Sequence, residues 1–287
     1  MSIKIKFKYK FNKKMKPKGE EVKNMERIST GIDGLDALIQ GYPKGKTFLV
    51  SGDAGTGKTI LALHFLNACC KDGLKCIYIA IEESPEDLKA QAKSFGWDLA
   101  EYEEKGLLQI IGVLEQRAEK AEAAARIPVA MRIERSYQNL MDMLSDIREK
   151  GGLPFLSTRG IGVGIHEEEN DVVDVVIMDN IGAFVIGIPT PKLREQLDSL
   201  VFKLNELECT ALIICDETVA KMTDNVMMYS VYGAIKLMKR DNPYVDTRER
   251  VMDIVKIRNT KIPLDYMLFD ITDKGIALLP KSEAEVR

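Results

Sequence analysis

Residues 47–66 read TFLVSGDAGTGKTILALHFL, an apolar run followed by a glycine-rich turn and a second apolar run. The turn has the spacing G-x-x-x-x-G-K-T, in which glycines let the backbone wrap around phosphate groups with its N–H groups pointing inward. A helix predicted over 58–71 adds its positive amino-terminal end. The sequence therefore predicts a phosphate-binding Walker A loop made of Gly52, Asp53, Ala54, Gly55, Thr56, Gly57, Lys58 and Thr59.

Two side chains of this loop have specific tasks in the prediction. The Lys58 ammonium reaches the β and γ phosphates of ATP, and the Thr59 hydroxyl binds Mg²⁺. An apolar strand before the loop and an apolar helix after it supply the context that such a loop requires. The cofactors predicted from this segment are ATP and Mg²⁺.

Outward from the loop, strands and helices alternate along the chain. A helix is predicted to begin at Pro85, with Ser84 as its N-cap and the proline at its first position. Leucines at helical spacing predict another helix over 191–208. This alternation predicts an α/β fold with a mostly parallel twisted sheet covered by helices on both faces, and short strands after Gly233 predict an antiparallel β extension. The predicted strands are 47–51, 76–81, 107–111, 172–178, 210–215, 234–238, 266–270 and 276–279.

Carboxylates follow two of these strands. Asp179 comes directly after the strand predicted over 172–178, where a Walker B acid would hold Mg²⁺ through water, although it could also simply start a loop. Asp174 is the weaker candidate because the prediction puts it in mid-strand. Glu82 and Glu83 follow the strand over 76–81, where they could orient and deprotonate an attacking water, or could form a solvated acidic loop.

Composition separates a basic tail from an acidic body. Residues 1–24 contain nine Lys and two Glu, a charge of +7, which leaves −10 on the rest because the chain carries −3. An acidic body disfavours a dedicated nucleic-acid-binding domain. Five cysteines without C-x-x-C spacing predict reduced thiols, and there is neither an apolar run of 18 residues nor a secretory signal pattern. Together these features predict a cytoplasmic protein without a membrane span.

The sequence predicts one domain with additions. Residues 1–24 form the basic N-terminal tail, whose alternating apolar and basic residues could also form an edge strand or a partner-binding arm. Residues 25–287 form the domain. A segment at about 112–171 interrupts it, helical in part over 112–135 and predicted to be a mobile loop over 151–171.

Several further motifs resemble those of KaiC-family ATPases, which belong to the RecA superfamily. The matching segments occur in the family's order, around the same phosphate-binding loop. They are RISTGIDGLD at 27–36, GYPKG at 41–45, IEESPEDL at 81–88, SFGWDL at 94–99, VKIRNT at 255–260 and FDITDKGI at 269–276.

This resemblance implies a RecA-like P-loop fold and an ATP-hydrolysing enzyme. It implies that Glu82 and Glu83 are the catalytic glutamates. It also implies that Lys256 and Arg258 act on the nucleotide of a neighbouring subunit, although by themselves the two could be a solvated strand face. A site completed by a neighbour closes naturally into a ring, and the family forms hexamers, so the expectation is a homo-hexamer whose nucleotide state regulates an unknown protein partner.

The chain also departs from the family. It has one such domain where KaiC clock proteins have two, and Asn259 replaces a family glycine. Ser230 lies roughly where the clock proteins carry phosphorylated residues, so an autokinase with a signalling role remains an alternative, as does an ordinary exposed hydroxyl. A second alternative is a RecA-superfamily recombinase paralogue that binds single-stranded DNA through basic and aromatic loops, which the weakly basic stretch at 191–194 disfavours.

Overall fold

The computed structural model describes residues 25–113, 137–138, 140–142, 144–145, 172–182, 188–216, 221–242 and 247–280. The basic tail, the segment 114–136 and the stretch 151–171 lie outside these residues. The helices are α1 (Asp33–Ile39), α2 (Lys58–Lys71), α3 (Pro85–Ser94), α4 (Leu99–Glu104), α5 (Thr190–Glu206) and α6 (Lys221–Ser230).

Among the described residues, nine strands form the main sheet, and two short strands form a separate antiparallel pair. The pair is β1 (Arg27–Ile28) with β2 (Tyr42–Pro43). The main sheet contains β3 (Thr47–Gly52), β4 (Cys76–Ala80), β5 (Leu108–Gly112), β6 (Val175–Asp179), β7 (Thr210–Asp216), β8 (Gly233–Asp241), β9 (Arg248–Ile257), β10 (Met267–Thr272) and β11 (Gly275–Leu278).

The order of strands across the main sheet is β11-β10-β9-β8-β3-β7-β6-β4-β5. The run from β8 to β5 is parallel, whereas β8, β9, β10 and β11 pair antiparallel. This confirms the predicted α/β fold, including the antiparallel extension at the carboxyl-terminal end.

Apolar side chains cover both faces of the sheet, as the uninterrupted apolar strands require. Successive residues of a strand point to opposite faces, so Phe48 and Val50 lie in one buried cluster while Leu49 lies in the other. Helix α2 packs in the first cluster through residues such as Phe65, and α5 packs in the second through residues such as Leu197. The strand tips are thereby held between two packed layers.

Local signals in the sequence placed most helix starts correctly. Helix α2 has the predicted bounds, and the Ser84 hydroxyl oxygen accepts a hydrogen bond from the Asp87 N–H at 3.1 Å at the start of α3. The prediction that Asp174 lies in mid-strand was wrong, because β6 begins only at Val175. Asp174 instead accepts a hydrogen bond from the Lys75 N–H at 3.0 Å, at the amino end of the strand.

The sheet order brings the carboxyl ends of four strands together. Strands β3, β7, β6 and β4 are consecutive neighbours, and all four run parallel. Ligands of open α/β sheets bind at this edge, next to a point where the strand order reverses. The predicted site residues Lys58, Glu82 and Asp179 all follow or end one of these four strands.

Candidate active site

The Walker A loop connects β3 directly to α2. Gly52 ends the strand with φ 152°, and a Cβ placed there would lie 2.1 Å from the Leu237 carbonyl oxygen of β8, so only glycine fits. Gly57 is the N-cap of α2 with φ 104°, in the region that side chains rarely adopt. The glycine at position 57 is therefore explained by backbone geometry at the point where the helix begins.

Lys58 is buried and doubly engaged. Its Nζ donates a hydrogen bond to the Asp53 carbonyl oxygen at 2.9 Å and forms an ion pair with the Asp216 carboxylate. Only 7% of the lysine side chain is exposed, against 22% of the Asp216 side chain. Asp216 is the last residue of β7, which lies between β3 and β6, so the sheet order brings it to the loop.

Asp179 ends β6 and is buried. Its Oδ2 accepts a hydrogen bond from the Tyr78 hydroxyl at 2.7 Å, and the Thr59 side chain is close enough to the carboxylate to lower its pKa. Burial raises the pKa of Asp179, and this outweighs the hydrogen bonds and the nearby charge of Lys58, which lower it. Because Asp179 and Thr59 meet, both residues predicted to serve the metal are at one point.

This donor set fits Mg²⁺. A hydroxyl oxygen and a carboxylate oxygen are hard ligands, and Mg²⁺ in nucleotide sites is held by one or two protein groups together with water and phosphate oxygens. Among the described residues, no group of three or more His, Cys, Asp and Glu side chains could hold a metal ion by itself.

Asn180 links the acidic residues of the site. Its Nδ2 donates to Glu82 Oε2 at 3.2 Å and to Asp216 Oδ2 at 2.7 Å, and its Oδ1 accepts from the N–H groups of Gly182 at 2.8 Å and Asp216 at 3.3 Å. With both ends of the amide engaged, the side chain fixes Glu82 and Asp216 relative to each other.

The paired glutamates lie at the mouth of the site and keep contact with solvent. Partial burial of the carboxyl group, and then the charge of Asp216, raise the pKa of Glu82. Burial, and then the charge of Asp179, raise the pKa of Glu83. Carboxylates whose pKa is raised are better proton acceptors than ordinary surface glutamates, as a general base requires.

One cavity joins these groups. It is lined by the loop, by Thr59 and Asp179, by the paired glutamates and by Asn180. Its lining residues are Ala54, Gly55, Lys58, Thr59, Tyr78, Ala80, Glu82, Glu83, Leu88, Asp179, Asn180 and Asp216.

Three polar lining residues were missed by sequence reasoning. Asp216 closes the apolar run 210–215 just as Asp179 closes the run before it, so the same rule could have found it. Tyr78 and Asn180 carry no such signal, because an apolar strand and a strand end contain these residue types for many other reasons.

Lys256 and Arg258 lie far from this cavity. Gly233 of β8 pairs with Phe48 of β3 and with Ile257 of β9, so the end of β9 adjoins the start of β3, roughly 13 Å along the strand from the loop. Burial and then the charge of Arg258 lower the pKa of Lys256, so the two cations are neighbours.

Lys256 and Arg258 do not lie on one regular strand. Strand β9 has an irregularity opposite Ala234 and ends at Ile257, which puts Arg258 in the following turn. Asn259 has φ 55°. Asparagine is one of the few residues other than glycine that tolerates this conformation, so its exchange for the family's glycine keeps the turn.

Several side chains outside the cavity have clear environments. His64 is packed in the core, with its ring against Trp97 at 4.5 Å between centroids. The Ser230 hydroxyl donates to an Asp198 carboxylate oxygen at the end of α6. The five cysteines, which all belong to the described residues, are buried and form no disulfide.

Comparisons with known proteins find similar proteins over most of the chain. A family model described as the KaiC ATPase matches residues 28–152 and 165–283. A UPF0273 protein of Pyrococcus horikoshii is 28% identical over 260 residues, covering 88% of this chain and 94% of that protein. The circadian clock oscillator protein KaiC of Picosynechococcus sp. is 27% identical over 269 residues, covering 90% of this chain but only 45% of that protein.

Solved structures support the same fold. The crystal structure of a KaiC-like protein from Pyrococcus horikoshii superposes with a TM-score of 0.65 at 22% identity, covering 89% of this chain and all of that one. The chain spans about half the length of the clock oscillator proteins that it matches. Within the described residues, the helices are too short or too polar to cross a membrane.

Proposed function

Because the chain belongs to the KaiC family of ATPases, we propose that it binds ATP with Mg²⁺ and hydrolyses the bond between the β and γ phosphates. The observation that carries this proposal is the convergence of Lys58, Thr59, Asp179 and the paired glutamates on one cavity. Each group has the chemistry that one part of phosphoanhydride hydrolysis requires.

The Walker A loop binds the phosphates in this proposal. Its backbone N–H groups and the start of α2 provide positive potential, and Lys58 adds a full charge at the β and γ phosphates. Thr59 and Asp179 would hold Mg²⁺, which neutralises phosphate oxygens when it is bound.

The glutamates act on water. One carboxylate orients the water in line with the γ phosphate and accepts its proton as the new P–O bond forms. Glu82 is held by the Asn180 amide, whereas Glu83 makes no side-chain hydrogen bond to another described residue and is the freer of the two. At least one of the pair is therefore expected to be essential.

Lys256 and Arg258 complete the site of a neighbouring subunit. They lie beside the amino end of β3, away from the loop of their own chain. In a head-to-tail assembly they could instead reach the γ phosphate bound by a neighbouring subunit. Such an interface closes into a ring, and we propose a homo-hexamer whose nucleotide state controls binding of a protein partner. The buried cysteines, which form no disulfide among the described residues, are consistent with a reducing cytoplasmic location.

The direct test uses purified full-length protein and its Lys58→Ala variant. Native mass spectrometry with Mg·ATP and Mg·ADP measures nucleotide occupancy and ring size, and phosphate release measures turnover. We expect the wild-type chain to bind nucleotide as a hexamer and to release phosphate, and the variant to lose turnover. A chain that binds no Mg·ATP in any oligomeric form would refute the proposal.

A further inference from the structure

The Lys58–Asp216 ion pair carries an inference that builds on the proposed ATPase function. A lysine ammonium has three N–H donors. Two are engaged in this structure, one by the Asp53 carbonyl oxygen and one by the Asp216 carboxylate. One donor remains for a ligand in the cavity that Lys58 and Asp216 line together.

Nucleotides with two and three phosphates make different demands on this lysine. A diphosphate presents only its β phosphate, which the remaining donor can serve. A triphosphate presents both β and γ phosphates, and gripping both takes two donors. One of the two existing bonds of Lys58 must then break.

The bond to Asp216 is the one that a triphosphate would displace. The Asp53 carbonyl oxygen belongs to the phosphate-binding loop and is neutral. Asp216 carries a negative charge that an incoming γ phosphate repels. Asp216 also keeps a partner when Lys58 leaves, because the Asn180 side chain donates to its Oδ2 at 2.7 Å.

We propose that Asp216 is a specificity-determining residue that competes with the γ phosphate for Lys58 and so reduces the preference of the site for ATP over ADP. ATP binding transfers the ammonium from Asp216 to the γ phosphate. After hydrolysis the ammonium returns to Asp216. The exchange weakens the binding of ATP relative to that of ADP. Because Asn180 bonds both Asp216 and Glu82, the number of phosphates on the bound nucleotide also affects the contact between Asn180 and Glu82.

Isothermal titration calorimetry of the full-length Asp216→Asn variant tests this proposal. The ligands are Mg·ADP and a non-hydrolysable Mg·ATP analogue. We expect the Kd of the triphosphate to fall about tenfold, the value of one charge-assisted hydrogen bond that no longer has to be broken. The Kd of ADP should change by less than about threefold. A residue with a merely structural role would weaken both ligands.

Two controls separate competition for Lys58 from simple charge repulsion. Glu83→Gln removes a charge from the same cavity, and Glu83 makes no ion pair with Lys58 among the described contacts, so it measures charge repulsion alone and should lower the Kd of the triphosphate by much less than Asp216→Asn does. In a Lys58→Ala background, Asp216→Asn should lose its selective effect. If Asp216→Asn lowers the melting temperature of the protein, the measurement is repeated with Asp216→Ser.

The outcomes are distinct. Equal shifts for both nucleotides, weaker triphosphate binding, or a selective effect that persists without Lys58 would overturn the role of Asp216 while leaving the ATPase proposal intact. Failure of the wild-type chain to bind either nucleotide would refute both.

Discussion

The Nε2 atom of His64 accepts a hydrogen bond from the backbone N–H of Ile276 at 2.6 Å, across 212 positions of sequence. Its Nδ1 lies 3.2 Å from the Gly31 carbonyl oxygen and donates to it when Nε2 is the acceptor. The neutral ring thus joins α2 to β11 and to the chain at Gly31. Protonation would place a second N–H against the Ile276 N–H.

This arrangement predicts a pH dependence of stability. Burial lowers the pKa of His64 from 6.5 to about 4. At pH values between these two, the unfolded chain therefore binds a proton that the folded chain does not bind. The contribution of His64 to the free energy of unfolding is fully present above pH 6.5. It is lost as pH falls toward 4, and the loss is about 3 kcal/mol at most. Urea unfolding followed by circular dichroism at several pH values measures it.

His64→Gln provides the comparison, because glutamine does not titrate. We expect the difference in unfolding free energy between wild type and variant to shrink as pH falls from 6.5 to 4. A difference that stays constant with pH would show that His64 does not titrate on unfolding.

The paired glutamates give the sharpest test of catalysis. Replacing Glu82 and Glu83 together by Gln should lower phosphate release at least about a hundredfold, because the general base is removed. Binding of Mg·ATP should persist, since the loop is intact. Glu86→Gln, on the exposed first turn of α3, is the matched control and should keep its turnover. Normal turnover in the double variant would exclude the pair from the mechanism.

The same double variant should also be more heat-stable. Both glutamates have a raised pKa in the folded chain, so their contribution is present at low pH and is lost as pH rises through the folded pKa. At neutral pH the charged forms oppose folding, and removing them should raise Tm. A lower Tm at pH 7 would contradict this.

Tyr78→Phe tests the support of the metal-binding carboxylate. The substitution removes the hydroxyl that donates to Asp179 and leaves a buried acceptor with one fewer partner. We expect unfolding free energy to fall by about 1–3 kcal/mol, measured by chemical denaturation. Tyr266→Phe, at a half-exposed position, should change it by less than about 0.5 kcal/mol.

Mixing inactive chains tests the shared site. Arg258→Ala and Lys58→Ala should each abolish turnover, and an equimolar mixture should recover about a quarter of wild-type activity from statistically assembled sites. Lys261→Ala, a neighbouring exposed cation, should remain active and serves as the control. Mixed rings without recovery would contradict a site shared between subunits.

The sequence predicted those parts of the site that are contiguous along the chain. The loop at 52–59 carries its own geometry, and Asp179 and the paired glutamates mark strand ends that parallel strands bring to one edge. Contacts that depend on which strands are neighbours were not predictable. The Asp216–Lys58 ion pair exists because β7 lies beside β3, a pairing that composition and periodicity do not encode.

The antiparallel pair β8 and β9 extends from the carboxyl ends of the parallel strands to their amino ends. At the carboxyl ends, the Lys239 Nζ donates to the Ala54 carbonyl oxygen of the loop at 3.4 Å. At the amino ends, β9 carries Lys256. In the proposed ring, every chain would host one reaction and assist the next. A copy defective in both tasks would silence two reactions, so a damaged allele should behave as dominant when it is co-expressed with an intact one.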